Sequence, residues 1–245
     1  MAKFRIIYYI TLVCPTLEAS LQKIEEYIAH GAKALQIDMP SREPTLETPF
    51  VAEMMAEALK KYHGYDHFMT ALQELRKRHP DVEIHLVLYP DVIESIGIQR
   101  FVEFFKASNF SSLMLVAADA PLRNALRAAG IPLLSYMSKD MPQQEIMEAA
   151  QLPSTDVIAL NYRQHVQSAR TEYPSYADKI RYLREQGIRT RLFAVEGIAT
   201  PEMMREVCDA GTDGALVGNV LMRLWDNEDK LWELFKQFQK VAQVD

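Results

Sequence analysis

Cysteine is scarce: only Cys14 and Cys208 occur in 245 residues, and no C-x-x-C pair is present. This rules out a disulfide framework, offers no zinc-ligand cluster, and predicts a reducing, cytoplasmic setting. Long apolar runs are missing too. None reaches the roughly 18 residues a membrane-spanning helix needs. The apolar run behind the basic start, Ile6 to Val13, is short, and Val13 is a poor small residue before a cleavage or lipidation cysteine. Positive charge is in deficit, with 27 Lys and Arg against 33 Asp and Glu, a formal net charge of −6 and a pI near 5.6. The basic residues are scattered, which argues against a nucleic-acid footprint and for a small-molecule or protein partner. No Gly/Ser linker, low-complexity tract or charge block marks a boundary, so a single domain over residues 1–245 is expected.

What is there is a repeat of short β-branched runs, each followed by a segment of helical period. Strands are predicted at 4–13, 32–37, 83–89, 112–117, 132–137, 156–161, 190–196 and 214–218. Leu17, Leu21, Ile24, Tyr27 and Ile28 recur at three and four residues before Gly31, the signature of an amphipathic helix with a glycine stop. Thr200 and Pro201 read as the cap and first turn of another. Eight βα units in a chain near the typical ~250 residues predict an α/β fold of the (β/α)8 TIM-barrel class. An open doubly wound sheet is the alternative, weakened because no G-x-G-x-x-G follows the first strand. The 38–82 excursion has room for a long loop and two helices.

In such a barrel, chemistry gathers at the carboxyl ends of the strands. Alternation along "ALQID" places Ala34, Gln36 and Asp38 on the axial face, with Asp38 nearest the mouth, and Glu43 and Glu47 follow in a loop punctuated by prolines. A glutamine in that position needs hydrogen-bond partners, whether protein groups, water or a ligand. Gly197 and Gly218 stand at strand-to-helix junctions where backbone N–H groups, with a helix beginning near Asn219, could cradle an anion; the glycines could equally serve tight turns. Glu196 opposes a phosphate there unless it points away or binds a hydroxyl. His63 and His67 have metal-pair spacing, but Gly64 interrupts and no third ligand is evident. His85 and His165 show no serine or cysteine partner, so a hydrolase triad is not indicated. No cofactor is implied.

The stretches "YYITLVCPTLEASLQKIEEYIAHGAKAL", "PSREPTLETP", "LYPDVIESIGIQRF", "AADAP" and "VEGIATPEMMREVCDAGTDGALVGN", in this order, resemble the tryptophan synthase α subunit over nearly the whole chain. The resemblance implies a lyase that cleaves indole-3-glycerol phosphate to indole and glyceraldehyde 3-phosphate. It also implies altered chemistry. The family's general acid/base glutamate falls on Gln36, and an amide cannot exchange a proton near neutral pH. The family's second acid falls on Glu47, a motif glycine on Asp38 and a serine on Arg42. Tyr9 matches an aromatic beside the indole and Tyr89 a tyrosine after the third strand. In the lid-like "YRQHVQSA", Gln167 replaces a threonine and Ser168 a phosphate-contacting glycine. Glu196 stands for a pocket phenylalanine, Gly197 and Gly218 remain, and Asn219 replaces a serine.

Several readings follow. Asp38 could act as a relocated acid/base with Glu47 orienting the substrate, or Glu196 could serve a different, non-phosphorylated ligand. The chain could be a non-catalytic barrel docking on a tryptophan synthase β subunit through the second-strand loop and Asp119. It could also be an ordinary α subunit of diverged sequence in which another carboxylate reaches the proton.

Overall fold

The computed structural model describes residues 4–13, 15–45, 47, 49–152, 157–162 and 172–242. In chain order it contains β1 (Arg5–Ile10), α1 (Leu17–Ala29), β2 (Ala34–Asp38), α2 (Pro49–Lys61), α3 (Asp66–Arg78), β3 (Glu83–Leu88), α4 (Pro90–Ile96), α5 (Ile98–Ala107), β4 (Ser112–Leu115) and α6 (Ala120–Ala128). There follow β5 (Leu133–Met137), α7 (Gln143–Ala150), β6 (Val157–Asn161), α8 (Tyr176–Glu185), β7 (Arg191–Val195), α9 (Pro201–Asp209), β8 (Gly214–Val217), α10 (Asn219–Met222) and α11 (Glu228–Ala242). The strands are hydrogen-bonded in chain order and close as a parallel barrel, the (β/α)8 TIM-barrel class. Closure excludes the open doubly wound sheet. The first strand is shorter than its apolar run predicts. Leu12 N–H leaves the ladder for the carboxylate of Asp38, at 2.9 Å, so β1 stops at Ile10.

Contacts group the described residues into two compact units, Ile10–Leu133 and Met1–Tyr9 with Leu134–Asp245. Within the first, β2, β3 and β4 pair in parallel, with Gln36 opposite His85 and His85 opposite Ser112. All five residues of β2 are buried, as a parallel strand covered on both faces requires. Thr16 caps α1, its side chain accepting from Ala19 N–H at 3.2 Å. The helix buries Leu17, Ser20, Ile24 and Tyr27; each large apolar side chain contributes about 1.5–3 kcal/mol. Leu21 and Ile28, expected on the same stripe, are only half-buried. The 38–82 excursion holds α2 and α3, matching the space anticipated for two helices.

In the second unit β5, β6, β7, β8 and β1 pair in parallel. Ser175 and Asp178 form a reciprocal capping box at the start of α8. Thr200 caps α9, with Pro201 in its first turn as the sequence indicates. Tyr8 of β1 stacks on Phe235 of α11 with ring centroids 4.3 Å apart, and both rings are buried. Among the described residues no helix is long and apolar enough to cross a membrane.

Candidate active site

The carboxyl ends of β2, β3 and β4 carry the first group of candidate residues. Gln36 is 4% exposed, and its amide nitrogen lies 3.8 Å from Met114 Sδ on β4, a weak acceptor. Asp38, two residues on, is 1% exposed. Its Oδ1 accepts from Thr11 Oγ1 and from Leu12 N–H, both at 2.9 Å. That carboxylate oxygen therefore ties the end of β1 to the end of β2, where two buried donors would otherwise lack an acceptor. Glu47 and Tyr89 come together: the phenol donates to Glu47 Oε1 at 3.4 Å, the long end of the hydrogen-bond range. Tyr89 is buried and Glu47 half-buried.

The loop that presents Glu47 is fastened by Asp91, which carries no site signal of its own in the sequence. Lying in the first turn of α4, it accepts from Ser41 Oγ at 2.7 Å and from Arg42 N–H at 2.8 Å. Ser41 Oγ in turn accepts from Glu43 N–H at 2.9 Å. An anionic side chain at a helix N-terminus is also favoured by the helix dipole. Tyr65, 4% exposed, donates to Pro40 O at 3.0 Å in the same loop. Burial, with the Asp91 charge adding, pushes its phenol up to about 12.

His85 does have a serine partner, contrary to the sequence expectation. Its Nδ1 lies 2.7 Å from Ser112 Oγ on the neighbouring strand. Both residues are 1% exposed. The pair was invisible because strand register, not sequence spacing, brings residues 27 apart into contact. Buried so fully, Ser112 offers no nucleophile to a substrate. A cleft of about 420 Å³ opens at the amino ends of β3 and β4, lined by Arg76, Asp81, Glu83, Asn109, Ser111 and Pro132 among others. It is at the opposite end of these strands from Asp38 and Tyr89.

The second unit carries Tyr9, Glu196, Gly197, Gly218 and Asn219. Gly218 lies against Tyr9, where a Cβ would come within 2.6 Å of the ring. The missing side chain is thus required by the aromatic packing, independently of any ligand. Asn219 begins α10, a single turn of four residues, and is exposed. Gly197 is exposed with φ of 88°, directly after Glu196 with φ of 65°. A left-handed non-glycine residue costs about 1–2 kcal/mol. The Glu196 carboxylate reaches Asn161, whose Nδ2 donates to Oε2 at 3.2 Å and to the Tyr136 hydroxyl oxygen at 2.6 Å. Asn161 ends β6, a position that the rule of strand carboxyl ends marks for attention; Tyr136 lies inside its strand and gave no sequence signal. Ser168, with the rest of the lid-like stretch after Tyr162, lies outside the described residues. Tyr162, which opens that stretch, is anchored by donating to Glu206 Oε2 at 2.5 Å. Among the described residues no group of three or more His, Cys, Asp or Glu could hold a metal ion.

The family model for the tryptophan synthase alpha chain matches residues 2–244. Over 219 residues the chain is 26% identical to the tryptophan synthase alpha chain of Corynebacterium diphtheriae, covering 87% of this chain and 78% of that one. Along an alignment of 249 positions, gaps included, it is 25% identical to that of Gloeobacter violaceus, covering 96% of this chain and 88% of that one. The crystal structure of tryptophan synthase subunit alpha from Legionella pneumophila superposes with a TM-score of 0.79 at 19% identity, covering 98% of this chain and 92% of that one.

Proposed function

This chain belongs to the tryptophan synthase alpha chain family, and from that premise we propose that its aldol cleavage of indole-3-glycerol phosphate is impaired at the proton-transfer step. The observation that carries this is Gln36. It is a buried amide at the position where the family resemblance expects a carboxylate, and an amide neither takes nor gives a proton near neutral pH. The environment of Asp38 supports the same reading. Its Oδ1 already accepts two buried hydrogen bonds, which suits a structural tie better than a proton shuttle. Glu47 with Tyr89 would retain the part that orients the indole nitrogen. Binding elements would then outlast the acid/base step.

The test is indole release from indole-3-glycerol phosphate by the purified wild-type chain. Turnover near the background of the uncatalysed reaction is expected. Robust turnover would sink the proposal and favour an ordinary α subunit in which another carboxylate does the work.

A second reading is favoured by the fastened loop. Asp91 ties Ser41 and Arg42 directly, and Glu43 N–H through the Ser41 hydroxyl, while Arg42, Glu43 and Phe50 stay exposed, Phe50 at 59%. Asp119, also exposed, caps α6 by accepting from Leu122 N–H. A pre-ordered, part-apolar surface of this kind suits docking on a tryptophan synthase β subunit, with the barrel acting as a binding or regulatory partner. Size-exclusion chromatography of the mixture checks it, and elution as two separate species would remove the partner.

A further inference from the structure

Among the described residues, three polar side chains meet near the carboxyl ends of β5, β6 and β7. Asn161, 7% exposed, donates to the Tyr136 hydroxyl oxygen and to Glu196 Oε2. In the strand register Asn161 pairs with Val195. Alternation would therefore send the next side chain, Glu196, to the opposite face. It does not go there. The left-handed backbone at Glu196, followed by a second left-handed residue at Gly197, ends the strand and turns the carboxylate back to Asn161. Strain at a non-glycine residue is thus spent on aiming a charged group at this cluster. The cluster is reachable from solvent: Tyr136 is 41% exposed and Glu196 is half-buried.

The chemistry of the three groups limits what they can recognise. A carboxylate only accepts hydrogen bonds, an amide donates and accepts, and a phenol does both. A hydroxyl group, which also does both, complements that set. A phosphate dianion brings acceptors and like charge to the carboxylate. We propose that Tyr136, Asn161 and Glu196 form a subsite for the hydroxyl groups of a polyol ligand, and that Glu196 selects the non-phosphorylated form against its phosphate ester. This rests on the reading above that the family reaction has been altered, and it names the ligand chemistry that replaces it.

The probes are indole-3-glycerol and indole-3-glycerol phosphate, which differ only in the phosphoryl group, with binding measured by titration calorimetry. The wild type should bind the neutral compound at least about tenfold more tightly than the ester. In Glu196→Gln, checked for unchanged circular dichroism, that preference should fall to within about threefold, because the repelling charge is gone. Tyr136→Phe should weaken the neutral compound by about threefold or more and leave the ester unchanged. Equal or tighter binding of the ester by wild type, no binding of either compound, or a preference unaltered in Glu196→Gln would each overturn the proposal. Indole release in the same samples separates the two readings. Tight but unproductive ester binding defeats this subsite and leaves impaired cleavage standing, whereas rapid indole release defeats the impairment itself.

Discussion

Tyr9 occupies the space that a side chain on Gly218 would need: a Cβ there would lie 2.6 Å from the Tyr9 ring and 2.8 Å from its Cβ. Real Cβ atoms do not approach so closely, so Gly218→Ala must move the ring or the β8 end. We expect it to cost about 1–3 kcal/mol in urea unfolding. Tyr9→Ala combined with Gly218→Ala should cost less than the two single changes added together. Simple additivity would show that the contact does not matter.

Gln36→Glu should raise indole release from indole-3-glycerol phosphate by about a hundredfold or more over wild type, the scale of a positioned general acid/base. The site already excludes water from residue 36, 4% exposed. Burial would lift the new carboxyl toward neutrality, where a proton shuttle works best. No gain in steady-state turnover, with the variant folded, would place the defect elsewhere.

Asp38→Ala removes the acceptor shared by Thr11 and Leu12. Leaving both donors buried without it should cost about 2–4 kcal/mol, while Asp38→Asn, which keeps an oxygen, should cost about 1 kcal/mol. Any residual indole release should survive Asp38→Asn. Its disappearance in a stable Asn variant would make Asp38 the relocated acid.

Asp91→Ala releases the Ser41 hydroxyl and the Arg42 N–H together. A loss of about 1–3 kcal/mol is expected. Trypsin should cut after Arg42 faster than in wild type, because the loop loses its tie to α4. An unchanged cleavage rate would mean that other contacts order this loop.

The Tyr65 phenol, raised from its ordinary 10.0 to about 12, gives a pH dependence with a definite sign. Between those values the folded chain holds a proton that the unfolded chain releases, so stability falls as pH rises. The contribution is complete below pH 10 and is lost on passing through about 12. Urea midpoints across this window should drop less steeply in Tyr65→Phe than in wild type. Equal slopes would refute the shift.

The sequence by itself determined the barrel, because each βα unit carries its own local signals: β-branched runs, a helical apolar stripe, and caps such as Thr16 and Thr200 that act within three residues. It also put Gln36 in a buried strand, since alternation depends only on the chain. What Gln36, Asp38 and Glu196 touch was decided by tertiary structure. Asp38 finds Thr11 across 27 residues, His85 finds Ser112 across 27, and Glu196 finds Asn161 across 35. Such contacts are set by strand register and by a left-handed turn at a glutamate. Neither leaves a periodic trace in the sequence, because the energy that fixes them comes from the packed sheet rather than from neighbours along the chain.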